Sequence, residues 1–264
     1  MFSVRKLTEL EDTDEIYIDT LFPELYDEAL ELLKRGTKVY LLKDTIKLKK
    51  LRIENHLRRS DENDAMLLAQ IPREKFRPLT VEELELKVQM RPLIRKYRWI
   101  VRWERVLKKF MKHGFNYNFE EVIRLMEADR KKVSKEIIRQ VASLPIYGEV
   151  YRKACEILGI GKSTDLAILT LELPLYLPLV KLKKFLGLIP DRNRGEYNHR
   201  LRTHIAAFAA YLYLSVKKGV SVSDKVAEIV NHLPKRQAIP KLELMTLKAL
   251  RITYLMTTNP TAGG

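Results

Sequence analysis

Short apolar runs and a helix-like stripe alternate over the first 78 residues. The apolar run Ile16–Ile18 ends at Asp19, and a second run covers Lys38–Leu42. Between them, residues 23–35 repeat apolar side chains every three or four positions, and Gly36 follows, as is typical after a helix end. This strand, helix, strand order predicts a parallel pair of strands with a crossover helix.

Residues 79–143 carry helical periodicity throughout. Thr80 followed three residues later by Glu83 has the form of a capping box, and apolar side chains then recur to Met111 at spacings of three or four. Pro92 interrupts this series and predicts a kink. A turn over 113–119 and a second periodic segment predict an antiparallel helical hairpin, which serves either as a spacer or as a basic surface for nucleic acid or for a dimer.

The last 121 residues contain short helical patterns. We therefore expect an α/β plus all-α chain with three parts: residues 1–78, the hairpin 79–143 and a helical domain 144–264. The predicted helices of the third part are Tyr147–Leu158, Ser163–Leu173, Leu179–Leu186, His199–Lys218, Asp224–His232 and Lys241–Tyr254.

Composition narrows the class of protein. Of the 264 residues 46% are hydrophobic, which is enough for a packed core and excludes a disordered chain. Cys155 is the single cysteine, so an intrachain disulfide and a cysteine-rich zinc site are excluded. The start of the sequence lacks the apolar segment of a signal peptide, and the longest apolar stretch, Ile205–Val216, is too short to span a bilayer. We expect a cytoplasmic protein without a membrane partner.

The net charge of +15 is unevenly distributed. Residues 1–78 have a net charge of −1, residues 79–143 of +7 and residues 144–264 of +9. A basic surplus confined to the helical parts favours a polyanionic partner, with DNA or RNA ahead of membrane lipid. The alternative is a highly charged, thermophile-like surface.

Three aspartates are candidates for chemistry. Asp61 and Asp64 are separated by one helical turn in a helix predicted from Ser60 to about Ala69, and Asp19 ends the first strand. Such carboxylates can hold Mg²⁺ and support phosphoryl transfer. Alternatively, Ser60 caps the helix and the acids complement its dipole.

The segment Leu158-Gly-Ile-Gly-Lys-Ser163 predicts a tight turn between two helices. Gly159, Gly161, Lys162 and Ser163 could offer backbone N–H groups and a positive charge to one phosphate. The alternative is an ordinary interhelical turn.

A third constellation lies between residues 191 and 202, where arginine, asparagine and tyrosine are concentrated. Guanidinium groups suit phosphates and tyrosine can stack on bases; the alternative is a solvated loop. The arginines of this loop are Arg192, Arg194, Arg200 and Arg202.

In their order along the chain, these segments resemble the DEDD-type transposases of insertion sequences, the family that includes the Piv/MooV invertases and the bridge-RNA-guided recombinases. The resemblance extends from about Glu15 to Gly219. The segments that carry it are Ile16–Thr20, Leu32–Val39, Arg58–Ala69, Leu158–Gly161, Phe185–Pro190 and Asn198–Arg202.

The resemblance implies a partial RuvC-like or RNase H-like βαβ segment, a coiled-coil-like linker and a C-terminal transposase domain with a helix-hairpin-helix. It also implies that Asp19, Asp61 and Asp64 are the remnant of the catalytic, Mg²⁺-binding DEDD set. Two departures stand against full activity. Only 18 residues precede Asp19, too few for the strand and first acid of the family, and Arg194 occupies the place of the family's catalytic serine.

Three hypotheses follow. The chain is a transposase-derived DNA- or RNA-binding protein without recombination chemistry. Alternatively, it is an active transposase or Mg²⁺-dependent nuclease completed by a partner chain. In the third, it is a structural subunit of a ribonucleoprotein or protein assembly. We also expect a homo-oligomer, a dimer formed through the linker helices.

Overall fold

A computed structural model describes residues 7–10, 13–22, 25–58, 60–114, 119–189 and 197–258. These residues are mostly helical and include one small sheet of three strands. Helical residues dominate because most of the chain repeats its apolar positions at the helical period. The α/β plus all-α expectation therefore holds at this coarse level.

The sheet forms around a strand, helix, strand unit. Strands β1 (Glu15–Ile18) and β2 (Lys38–Leu42) pair in parallel, and helix α1 (Tyr26–Lys34) connects them. Gly36 follows α1 with a φ of +96°, a conformation that glycine adopts without strain. The predicted parallel pair with its crossover helix is confirmed.

A third strand, β3 (Phe76–Pro78), pairs antiparallel with β2 and was not predicted. Helices α2 (Ile46–Glu54) and α3 (Asp61–Leu68) precede it in the chain. A small core joins these helices to the end of β2 and to β3. Its buried members are Leu42, Leu48, Leu67, Ile71 and Phe76.

Two long helices form the predicted antiparallel hairpin. Helix α4 covers Val81–Lys112 and continues through Pro92, and helix α5 covers Phe119–Ser143. Ion pairs between them join Lys96 to Asp129 and Lys108 to Glu127, at 2.9 Å in each case. The shared apolar face of the pair packs inward, because Ile94, Ile100, Ile137 and Val141 are almost fully buried.

The remaining helices are α6 (Pro145–Leu158), α7 (Thr164–Glu172), α8 (Leu179–Phe185), α9 (His199–Lys217), α10 (Asp224–His232) and α11 (Lys235–Thr258). Helix α11 begins six residues before its predicted start at Lys241 and contains Pro240. It packs against α6 and α9, so the last helix closes the core of this part.

One buried apolar cluster extends from Ile16 in β1 to Tyr254 in α11. It therefore contains residues from all three predicted parts of the chain, and the division at residues 78 and 143 stays a prediction. Within the described ranges, no helix combines the length and hydrophobicity that crossing a bilayer requires.

Candidate nucleic-acid interface

Helix α4 carries a stripe of cations along one face. Its members are separated by three or four residues, which places them in one row on a helix. At a rise of 1.5 Å per residue, the row is about 27 Å long. The basic stripe consists of Lys87, Arg91, Arg95, Arg98, Arg102 and Arg105.

The basic stripe lines two adjoining clefts. The first has a volume of about 700 Å³ and the second of about 780 Å³, and Arg98, Arg102 and Arg200 line both. Arg200 reaches the clefts from the first turn of α9, whose N-terminus is capped by the Asn198 side chain. We call this continuous depression the basic groove.

Cations outnumber carboxylates in the basic groove. The six residues of the stripe, Arg200 and Arg130 of α5 line it, against Glu104, Asp165 and Glu172. A concave surface with one dominant sign of charge concentrates ligands of the opposite sign. The basic groove is therefore suited to a polyanion.

The guanidinium groups of four arginines in the groove form no ion pair or hydrogen bond with any described residue. Nearby cations are engaged instead: Arg91 contacts Asp27 at 3.4 Å, and Arg130 contacts Glu104 at 3.0 Å. Unengaged guanidinium groups keep all their donors for a ligand such as a phosphate. These four are Arg95, Arg102, Arg105 and Arg200.

Arg98 is held in position by two partners. Its Nη2 contacts the Glu172 carboxylate at 2.5 Å, and its Nε donates to Nε2 of His204 at 2.8 Å. Because His204 accepts at Nε2, its Nδ1 donates to Asp165, 2.6 Å away. This chain of contacts ties α4 to α7 and α9 and fixes the width of the groove where the two clefts meet.

A buried charge cluster underlies the first cleft. Arg77 of β3 donates to both oxygens of Glu83 at 2.7 and 2.9 Å, and Lys87 lies 3.6 Å from the same carboxylate. The hydroxyl of Tyr147 contacts both cations, and that of Tyr254 contacts Arg77. Burial opposes the charged form of Glu83, but the adjacent Arg77 outweighs it and lowers the pKa of Glu83 to about 2.

The turn that was predicted to bind a phosphate joins α6 to α7, and part of its backbone packs against other residues of the chain. Gly159 ends α6 with a φ of +65°, and a Cβ there would lie 2.1 Å from the backbone nitrogen of Ser223. The space beside Gly159 is therefore filled by the backbone of another segment of the chain, which leaves no room there for a phosphate. Ser163 caps α7 by accepting from the Leu166 N–H, whereas Gly161 and Lys162 are exposed.

The predicted arginines have different environments. Arg200 lines the basic groove, as described above. Arg202 contacts Glu243, a carboxylate that is only 2% exposed, so its charge is used inside the fold. Arg192 and Arg194 lie outside the described residues.

The three aspartates do not form a common ligand set. Arg52 binds both oxygens of Asp64 at 2.6 Å, Asp61 is exposed, and the Ser60 hydroxyl caps α3. Burial raises the pKa of Asp19, and the Asp64 charge adds to that effect, so these two carboxylates lie within electrostatic reach. In the ranges that the structure covers, no three histidine, cysteine or carboxylate side chains converge to hold a metal ion. Arg52 occupies both oxygens of Asp64 in this arrangement, and Mg²⁺ binding by the three aspartates stays a prediction.

A basic surface on the hairpin is one of the sequence expectations, but the residues of the basic stripe are not singled out there, because the pattern of α4 is interpreted by its apolar face. The signal is present in the sequence, since cations recur at 87, 91, 95, 98, 102 and 105. Compared with models of known protein families and with curated proteins, the chain matches none.

Proposed function

We propose that this chain is a nucleic-acid-binding protein and that the basic groove holds the sugar–phosphate backbone. The observation that carries the proposal is the set of four unengaged arginines in a groove where cations exceed carboxylates. Phosphate contacts of this kind supply affinity without reading sequence.

The resemblance to insertion-sequence transposases points in the same direction. That family acts on DNA, and the groove of this chain lies between the hairpin and the helical part. The proposal extends to a transposase-derived protein in which binding is retained. It leaves the choice between DNA and RNA to the binding experiment.

The test compares two variants with equal changes in charge. The groove variant carries Arg95→Gln, Arg102→Gln, Arg105→Gln and Arg200→Gln. The control variant carries Lys50→Gln, Arg152→Gln, Lys225→Gln and Lys248→Gln, which are exposed cations outside the groove lining. Fluorescence anisotropy of labelled DNA and RNA 20-mers gives the affinity at one salt concentration.

We expect the groove variant to bind far more weakly than the control. In 0.1 M salt each lost phosphate contact costs about five- to eightfold in affinity relative to 1 M salt. If the two variants lose affinity equally, the charge acts through the whole surface and the groove is not the binding site.

A second proposal is a Mg²⁺-dependent nuclease at Asp19, Asp61 and Asp64. The electrostatic proximity of Asp19 and Asp64 favours it, while the Arg52 contact with Asp64 opposes it. Cleavage of DNA or RNA in Mg²⁺ or Mn²⁺ that is lost in Asp64→Asn would support this proposal. Activity that survives Asp64→Asn would exclude these acids.

A further inference from the structure

Two tryptophans stand exposed on α4 beside the basic stripe. Trp99 is 59% exposed and Trp103 is 42% exposed, and their ring centroids are 6.0 Å apart. Large aromatic side chains are usually buried to a high degree, so an adjacent pair facing solvent indicates a contact surface.

The position of the pair relates it to the groove. Trp99 lines the first cleft together with Arg95, Arg98 and Arg102, which lie four residues before, one before and three after it. Trp103 follows one turn later, so the two indoles are neighbours on the same face of α4. Trp99 thus lies between Arg95 and Arg102 in the lining of the groove, and Trp103 lies one helical turn further along α4, outside the lining of the two clefts.

Exposed indoles beside unengaged arginines match the chemistry of an unpaired strand. Bases of a single strand can leave their stack and lie on an aromatic side chain while the phosphates contact arginines. In a duplex the base faces are covered by neighbouring bases, so an exposed indole finds no partner there. Two cations of the edge, Arg95 and Arg102, are unengaged by the described residues and flank Trp99.

We infer that the basic groove takes nucleic acid as an unpaired strand, with bases stacked on Trp99 and Trp103. This inference rests on the proposed function and narrows its ligand to single-stranded DNA or RNA, or to unpaired segments of a folded RNA. The indoles supply a preference for strand form, and the arginines supply affinity.

Intrinsic fluorescence measures this directly, because Trp99 and Trp103 are the only tryptophans of the chain. The purified full chain is titrated with a dT 20-mer, with inorganic polyphosphate, and with a DNA hairpin that has the same number of phosphates and is closed by a glycol linker instead of unpaired loop nucleotides. We expect the dT 20-mer to quench the emission strongly. The hairpin and polyphosphate bind through the arginines and leave most of the emission unchanged.

Substitutions then separate stacking from charge. Trp99→Leu and Trp103→Leu each weaken binding of the dT 20-mer by about tenfold, within the range for loss of one stacked base, and leave hairpin binding within about twofold. Trp99→Phe keeps an aromatic face and restores most of the affinity. Circular dichroism serves as the folding control, and Ile252→Ala is the matched surface variant, because Ile252 is an apolar residue whose 52% exposure lies between those of the two tryptophans.

Three results would overturn the inference. Equal affinity for the 20-mer and the hairpin, with no change in emission, removes the stacking role while the proposed function stands. Absence of nucleic-acid binding removes both. A dimer in sedimentation velocity that is lost in Trp99→Leu, with affinity for the 20-mer unchanged, assigns the indoles to contact with a second copy of the chain.

Discussion

Replacing Glu83 by glutamine removes the carboxylate that Arg77 and Lys87 share. The side chains of all three residues are at most 9% exposed, so the two cations stay in the interior without their counter-charge. Breaking a buried ion pair from one side costs about 3–5 kcal/mol. We expect Glu83→Gln to lower the free energy of unfolding by that amount at pH 7.

The pKa of Glu83 gives a second route to the magnitude. Its value is about 2 in the folded chain, against 4.5 as the ordinary value. A difference of this size corresponds to about 3 kcal/mol, which agrees with the loss expected above for Glu83→Gln. Because the folded pKa is the lower one, this stabilisation is fully present above about pH 4.5 and is lost as the pH falls towards 2.

Urea unfolding followed by circular dichroism, at several pH values from 7 to 2.5, measures both effects. The wild type should lose more stability than Glu83→Gln over the acid range, so the two curves converge as the pH falls. The triple variant Arg77→Met, Glu83→Leu, Lys87→Met, which removes the shared carboxylate together with both buried cations, should recover much of the loss. A loss below about 1 kcal/mol at pH 7, or parallel pH profiles, would refute the role assigned to the pair.

Two further predictions use matched pairs of variants. Gly159→Ala should lower the free energy of unfolding by more than about 2 kcal/mol, because the φ of Gly159 is positive and a Cβ there meets the Ser223 backbone. Gly161→Ala has open space around it and should change the free energy of unfolding by no more than about 0.5 kcal/mol. Equal losses in thermal unfolding would contradict this account of the turn. Arg98→Gln should lower the free energy of unfolding by about 1–3 kcal/mol, since Glu172 and His204 lose their donor. Arg102→Gln should leave the stability unchanged and weaken DNA binding. If instead Arg102→Gln lowers the stability and Arg98→Gln does not, Arg98 is the unengaged cation of the two.

Local patterns predicted the elements whose signals are local. The apolar runs at Ile16–Ile18 and Lys38–Leu42, with Gly36 between them, were sufficient for the parallel pair. Thr80 caps α4 as the capping box predicts, by accepting from the Glu83 N–H at 3.1 Å. These features depend on residues a few positions apart, which is the range over which a sequence pattern can be interpreted.

Contacts between residues far apart in the sequence determine the features that local patterns did not predict. The Glu83 carboxylate pairs with Arg77, which also contacts a tyrosine 177 residues away, instead of completing the capping box. Arg202 was predicted for phosphate and pairs with Glu243, 41 residues further along the chain. Strand β3 has only three residues, including Arg77 and Pro78, so it lacks the apolar alternation by which strands are predicted.

In the candidate site, too, the local signal was predictable and the tertiary contacts were not. Arg200 was predicted from its arginine-rich neighbourhood and does line the groove. The partners of the stripe on α4 could not be predicted, because Glu172, Asp165 and His204 reach Arg98 through tertiary packing. Whether an arginine is engaged or free depends on such contacts.

The salt dependence of nucleic-acid binding tests the central claim most directly. Affinity for a labelled dT 20-mer is measured by anisotropy from 50 to 400 mM KCl for the wild type, the four-arginine groove variant and the four-cation control. With a slope of about 0.7 per phosphate contact on a single strand, the groove variant should lose about 3 from the slope of log K against log salt. The control should keep the wild-type slope, and an equal loss in both variants would contradict binding in the basic groove.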